Sequence, residues 1–293
     1  MRNAVAALIL FISPFAAYGE DEPAMIWIAE GDTNLVYLLG SIHMLRERDH
    51  PLPNNVEAAY DDAEHLVMEL DMDDIDPVAA LQFLMTKGIL DTGTTLGDLM
   101  GAEMYAQAKT AAGEAGIPIE LLDKSEPWLA AMTVQEIMMM RIGFKPEYGV
   151  EMFLTAKAAA DGKPITGLET VEQQLEFLDK LSIETQKRWF LQSIVEGRRM
   201  AMLIDEIVAA WRGGDVQFLE DELLHDMHNY PELHKAILVD RNQSWVNPIM
   251  DLLDDGDDYL VVVGAAHLIG ENGLPDLLSQ RGVRIKRLHE SLR

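Results

Sequence analysis

The chain has no cysteine among its 293 residues. Disulfides, thiolate metal sites, a cysteine nucleophile and the lipid anchor of an exported lipoprotein are all excluded on that count. Basic residues are scarce: 23 lysines and arginines stand against 50 aspartates and glutamates, a formal charge of −27. Nucleic-acid binding depends on neutralising phosphates, so it is excluded as a function, and an anionic membrane surface repels such a chain as well. Several catalytic signatures are also missing. There is no Gly-x-Ser-x-Gly elbow and no His-Glu-x-x-His pair, and the acidic stretches 71–76 and 254–258 lack the ligand alternation of an EF-hand. No Pro/Gly/Ser-rich linker divides the chain, and beyond its first residues no apolar run is long enough to span a bilayer.

What is present describes a globular protein: 48% hydrophobic and 25% charged residues suffice for a substantial core. Residues 1–19 read as a secretory signal peptide rather than an N-terminal core helix. Arg2 is the positive region, Ala4 to Phe15 the apolar region, and Ala17-Tyr18-Gly19 places small residues at −3 and −1 of a cut after Gly19. Export to the periplasm or beyond follows, with no membrane span after signal removal. Residues 20–293 then read as a single domain.

Met25–Glu30 and Asn34–Ser41 read as strands of a hairpin turning at Gly31-Asp32-Thr33-Asn34. Val56–Glu64 reads as a helix, His65–Leu70 as a strand, and Asp76-Pro77 as the start of a helix running to about Lys87. From about 76 to 255 the pattern is mostly helical, with one short strand at Lys163–Glu169. Tyr259–Gly264 and Val283–Leu288 read as strands flanking a helix at Leu274–Gln280. The expected fold is α/β: a central mixed sheet built from N- and C-terminal strands, with a large helical insertion between them.

Two segments match one another, Leu35-Val36-Tyr37-Leu38-Leu39-Gly40-Ser41-Ile42-His43 and Tyr259-Leu260-Val261-Val262-Val263-Gly264-Ala265-Ala266-His267. Each is an apolar run suited to a strand covered on both faces. Each breaks at a glycine that permits a sharp turn, and each presents a histidine beyond the strand's carboxyl end, where open α/β sheets hold ligands. One Gly-x-x-His reads more readily as a hydrogen-bonded core histidine; two matching copies point to a site. Glu69 and Glu169 also end apolar runs, although singly each reads as a solvated loop carboxylate. If the strands lie side by side and point the same way, His43, Glu69, Glu169 and His267 converge. Two imidazoles and a carboxylate suit a divalent metal with positions open for water and substrate, and a second carboxylate can act as general base.

These residues carry a resemblance. Gly40-Ser41-Ile42-His43-Met44, Met68-Glu69-Leu70-Asp71, Gly167-Leu168-Glu169-Thr170 with Gln173 or Gln174, Arg241-Asn242, and Val263-Gly264-Ala265-Ala266-His267-Leu268 resemble, in order, the motifs of the TraB/GumN family. That family is related to the Tiki proteases and, more distantly, to erythromycin-esterase and ChaN-like proteins. The resemblance spans about residues 25 to 288. It implies an α/β fold with a central sheet and metal-dependent peptidase activity of the Tiki kind. His43 and His267 match the motif histidines, Glu69 the acidic residue after the next strand, and Arg241 the arginine facing the site. A guanidinium there suits polarisation of a carbonyl or stabilisation of an oxyanion; the alternative is an ion pair with Glu69 or Glu169. Ser41 reads as a hydroxyl supporting another site group.

The expectation is a periplasmic or secreted metal-dependent hydrolase acting on a peptide or other small amide or ester. Mn, Co or Zn would be held by His43, His267 and Glu69, with Glu69, Glu169 and Arg241 as catalytic groups. The alternatives are a haem- or metal-binding module on the same scaffold, or a non-catalytic interaction protein. His225, His228 and His234 read as surface residues. Met138 to Met140 cannot share one helix face, so their helix is buried on several sides or offers a partner surface, which leaves room for a homodimer.

Overall fold

In the computed structural model, residues 24–288 are described except His225, and the side chains of Arg198, Asp226 and His228 are left aside. The signal-peptide expectation for residues 1–19, the expectation for His225 and that for the His228 side chain lie outside the described residues. Six strands form one sheet among the described residues: β1 (Ile26–Glu30), β2 (Leu35–Ser41), β3 (His65–Leu70), β4 (Ile165–Glu169), β5 (Tyr259–Gly264) and β6 (Arg284–Arg287), in the order β4-β3-β5-β2-β1-β6.

The sequence pattern explains this order. β5, Tyr-Leu-Val-Val-Val-Gly, is buried at all six residues, as a strand covered on both faces must be, and it lies between β2 and β3, parallel to both. β1 and β2 pair antiparallel across the Gly31–Asn34 turn, closed by the Gly31 N–H on the Asn34 carbonyl at 3.0 Å. β6 pairs antiparallel with β1 at the outer edge, where Arg284 and Lys286 reach Glu30, and such charges blunt an open edge. The fold is the α/β arrangement expected, with one addition: β4 comes from inside the helical middle and forms the other edge, parallel to β3.

The helices are α1 (Asn54–Asp62), α2 (Pro77–Phe83), α3 (Leu96–Met100), α4 (Ala102–Ala115), α5 (Pro127–Arg141), α6 (Val150–Asp161), α7 (Val171–Asp179), α8 (Ile183–Val195), α9 (Gly197–Gly213), α10 (Val216–Leu223), α11 (Pro231–His234), α12 (Asp240–Leu253) and α13 (Leu274–Gln280). Their ends follow capping rules. Asp76 accepts from the Val78 and Ala79 N–H groups, Thr170 and Gln173 form a reciprocal cap on α7, and Gly162 and Gly214 end α6 and α9 in the left-handed conformation.

The sheet and the helices packed on it bury the main core. A second core lies within the helical middle, where Ala108, Ala112, Ala130, Ala131, Val134, Phe190 and Ile194 meet, small residues allowing α4, α5 and α8 to approach closely. Trp211 of α9 ties the middle to the sheet: it is fully buried, and its Nε1 donates to the Gly40 carbonyl at 2.6 Å, just before the first Gly-x-x-His ends.

One local expectation is corrected. Neither Gly40 nor Gly264 has the positive φ of a sharp glycine turn. The two glycines provide space instead. A Cβ on Gly40 would lie 3.1 Å from the Ala265 Cα and 3.3 Å from Leu268 Cδ1, so the first motif leaves room for the second to cross beside it.

Candidate active site at the carboxyl edge of the parallel strands

Four adjacent strands, β4, β3, β5 and β2, run the same way, with Leu70 in register with Glu169 and Ser41 with Gly264. Their carboxyl ends therefore deliver Glu169, Glu69, His267 and His43 to one edge.

His43 follows β2 directly and is held by the start of α6. The Val150 N–H donates to the Ile42 carbonyl at 3.1 Å, and a Cβ on Gly149 would lie 2.1 Å from the His43 carbonyl oxygen, so only glycine allows this approach. The next side chain but one, Glu151, is brought against the imidazole: His43 Nδ1 lies 2.7 Å from Glu151 Oε1, and the Ser41 hydroxyl donates to the same oxygen. Ser41 is thus a supporting hydroxyl. The His43 side chain is 64% exposed and Glu151 only 12%. The Glu151 carboxylate pulls the imidazole pKa up to about 9. Burial in turn raises the Glu151 carboxyl, but His43 and the Ser41 hydroxyl outweigh it and leave the pKa lowered. With Nδ1 committed to Glu151, His43 has Nε2 for the site.

His267 sits in a short helical turn, Ala265–Leu268, after β5, and is buried. Its tautomer follows from its neighbours. Asn242 donates through Nδ2 to the carbonyls of His267, at 3.2 Å, and Asn272, at 2.7 Å, which fixes the amide and turns Oδ1 toward His267 Nδ1 at 2.6 Å. Arg241 Nη1 lies 3.1 Å from His267 Nε2, and a guanidinium has no acceptor. Nε2 therefore accepts and Nδ1 carries the proton. The ring is neutral, in keeping with burial, which lowers its pKa to about 3, and it lies tilted against Trp245 at 4.6 Å between centroids.

Between the histidines lies a buried ion cluster. Arg241 of α12 donates to Glu69 and Glu169, including Nε to Glu169 Oε1 at 2.8 Å, and its guanidinium lies 4.8 Å over the Trp245 ring. Gln174 of α7 bridges the same carboxylates, 3.1 Å from Glu69 Oε2 and 3.0 Å from Glu169 Oε1. The Gly264 N–H donates to Glu69 Oε1 at 2.7 Å. Burial works against ionisation of Glu69. With His267 neutral, it is outweighed by the charges of Arg241 and His43 and by the Gly264 N–H, which hold the carboxyl below the usual carboxylate range.

Gly264 marks where these groups meet. A Cβ there would lie 3.3 Å from His43 Nε2, 3.3 Å from Glu69 Oε1 and 3.6 Å from His267 Cδ2. The structure therefore gathers all five residues singled out in the sequence, with His43, Glu69 and His267 round one bare glycine and Arg241 and Glu169 beside them. The donor types are ones that could hold a divalent metal: each imidazole has Nδ1 on an outer acceptor, which leaves Nε2 as the ligand atom. As the side chains stand, Arg241 occupies the His267 Nε2, and among the described residues no three His, Asp or Glu groups close to ligand distance. A cleft of about 410 Å³ adjoins the cluster at Asn242 and Ala266.

Three residues of the site are given no role by the sequence. Glu151 carries no signal, since an acidic residue in a first helical turn is explained by the helix dipole alone. Asn242 stands beside Arg241 in its motif, yet its role appears only with the His267 contact. Gln173 and Gln174 were equivalent in the sequence. The structure separates them, with Gln173 capping α7 and Gln174 reaching the carboxylates.

A profile of the TraB/PrgY/gumN family matches residues 25–287. Curated relatives include the "Uncharacterized protein YbaP" of Escherichia coli (strain K12), 25% identical over 242 residues, covering 83% of this chain and 87% of that protein. An "Uncharacterized protein" of Treponema pallidum (strain Nichols) is 23% identical over 273 residues, covering 88% of this chain and 80% of that one. No solved structure matches. No helix among the described residues is long and apolar enough to cross a membrane.

Proposed function

The chain belongs to the TraB/PrgY/gumN family, and on that premise we propose that it is an exported metal-dependent hydrolase of peptide or other small amide or ester bonds. One observation carries the reading: His43 Nε2, Glu69 Oε1 and the His267 ring surround the bare Cα of Gly264, while Glu151 and Asn242 hold the two Nδ1 atoms. His43, His267 and Glu69 would hold a divalent ion such as Mn, Co or Zn. When bound, the ion would supply Lewis acidity and lower the pKa of a water molecule.

The protein's own groups have separable tasks. Asn242 keeps His267 neutral with its Nε2 lone pair directed inward, so ligation there requires no proton loss, only withdrawal of Arg241 Nη1. His43 carries a proton beside Glu151 and must release it to ligate, so metal uptake at this residue is coupled to deprotonation. Glu169, held by Arg241 and Gln174, is the carboxylate available to accept a proton from attacking water. Arg241, paired with both carboxylates and backed by Trp245, would turn positive charge toward the oxyanion that forms as water adds to a carbonyl once its Nη1 has left His267. The exposure of His43 leaves this side of the site open to an incoming substrate. The haem alternative is disfavoured by the charged ring of Glu69, Glu169 and Arg241 about His267, where haem requires an apolar slot.

The test is metal titration of the purified protein by calorimetry, with metal content by mass spectrometry, for the wild type, His43→Ala and His267→Ala, alongside digestion of a peptide library with and without chelator. Binding of Mn, Co or Zn is expected in the wild type and is lost in both variants, and peptide cleavage is removed by chelator and restored by metal. Unchanged metal stoichiometry in both variants defeats the reading.

A further inference from the structure

The Arg241 guanidinium is saturated. It has five N–H donors and five acceptors: Nε is on Glu169 Oε1 at 2.8 Å, Nη2 on Glu69 and Glu169, and Nη1 on the Ile237 carbonyl at 3.2 Å and on His267 Nε2 at 3.1 Å. A group so committed has no N–H left for a substrate oxygen. One contact of the five differs from the rest in kind. Three end on carboxylates and one on a backbone carbonyl, but the fifth ends on His267 Nε2, the lone pair through which that histidine would ligate an ion.

The guanidinium and an ion would neutralise the same groups. His267 Nε2 and Glu69 Oε1, 3.6 Å apart, are close enough to share one ion, and Nη1 and Nη2 of Arg241 already stand on that imidazole and that carboxylate. Two cations side by side also repel one another strongly in a site largely withdrawn from water. The arginine nevertheless has somewhere to stay. Ile237 lies in a π-helical turn, Lys235–Val239, that runs directly into α12, and its carbonyl is a second acceptor for the same Nη1. Glu169 holds Nε, and the Trp245 ring lies 4.8 Å from the guanidinium. Giving up His267 therefore requires one N–H to change partner, with the side chain otherwise in place.

We propose that Arg241 is an intramolecular latch on the metal site, a built-in cation that closes His267 in the metal-free protein and is displaced by the ion. Loading frees one N–H toward the centre while Glu169 and Ile237 retain the guanidinium, so Arg241 is released for a developing oxyanion only when the ion is present. The inference rests on the metal-dependent reading and adds the regulation of that site: uptake is an exchange of one cation for another.

The experiment is calorimetric titration of Mn, Co and Zn into full-length, chelator-stripped protein: wild type, Arg241→Ala and Arg241→Ala/Glu169→Gln. Each is titrated with ethylguanidinium in the buffer, which replaces the missing head group, and with tetramethylammonium at the same ionic strength. Circular dichroism melts identify variants that fold. The double variant strands one carboxylate fewer and carries the test if Arg241→Ala does not fold. Expected is metal affinity at least tenfold above wild type in the variants, reduced at least threefold by ethylguanidinium relative to tetramethylammonium, with no such reduction in the wild type. Metal binding that appears only in the variants supports the latch equally. Affinity in the variants at or below that of the wild type overturns the latch and leaves the metal-dependent reading standing, as does a gain that ethylguanidinium fails to reverse. Absence of Mn, Co and Zn binding from the wild type and both variants overturns the two together.

Discussion

Replacing Arg241 with leucine distinguishes a buried ion-pair partner from a guanidinium free to face substrate. The side chains involved are 11% exposed for Arg241, 9% for Glu69 and 4% for Glu169, so Arg241→Leu strands two carboxylates out of water. Removing one partner of a buried pair costs about 3–5 kcal/mol, chiefly because an uncompensated charge remains. The lower end applies here. Glu69 keeps the Gly264 N–H and Gln174, and Glu169 keeps Gln174. A loss of about 3 kcal/mol corresponds to a fall in Tm of about 6–12 °C for a chain of this size. The assay is a thermal melt by circular dichroism in chelator, so that metal contributes nothing to either state. The companion variant adds Glu69→Gln and Glu169→Gln, which leaves no buried charge and is expected to recover more than half of the loss. A single variant melting within about 1 °C of the wild type refutes the ledger, as does a triple variant no more stable than the single one.

Glu151→Gln removes the carboxylate that orients His43. Because His43 is mostly exposed, stability is expected to fall by only about 1 kcal/mol, while affinity for Mn, Co or Zn falls about 10–100-fold in calorimetric titration. Wild-type affinity in a folded Glu151→Gln protein removes Glu151 from the site. Gly149→Ala forces a Cβ against the His43 carbonyl, 2.1 Å away, and is expected to cost about 1–3 kcal/mol or more in urea unfolding. Gly113→Ala, in the exposed interior of α4 with nothing within 4 Å of the new Cβ, is expected to stabilise by about 0.5–1 kcal/mol in the same assay. Equal effects of the two alanines argue against the close approach of α6 to His43.

Much of the fold was legible locally. The all-apolar run Tyr259–Gly264, short and rich in valine, suits a strand buried on both faces, and it lies inside the sheet between β2 and β3. The turn at 31–34, the cap at Asp76 and the glycine stops at 162 and 214 are local chemistry, readable without knowing what lies across from them. The histidines and carboxylates were legible as candidates because each follows an apolar run, and parallel strands carry such residues to the same edge.

Partnership is what the sequence alone leaves undetermined. That Arg241 pairs with both carboxylates while touching His267 depends on α12 crossing the strand ends. That Glu151 rather than any other carboxylate sets His43 depends on Gly149 letting α6 descend onto the loop after β2. The two motif glycines illustrate the division. Their place after an apolar run is a property of the sequence, and a turn is what that place suggests locally. Their actual reason is steric: Gly40 makes room for Ala265, and Gly264 for the side chains of His43 and Glu69. Hydrogen bonds and contacts between groups some 25 to 195 residues apart have no periodicity along the chain, so only the tertiary structure decides them.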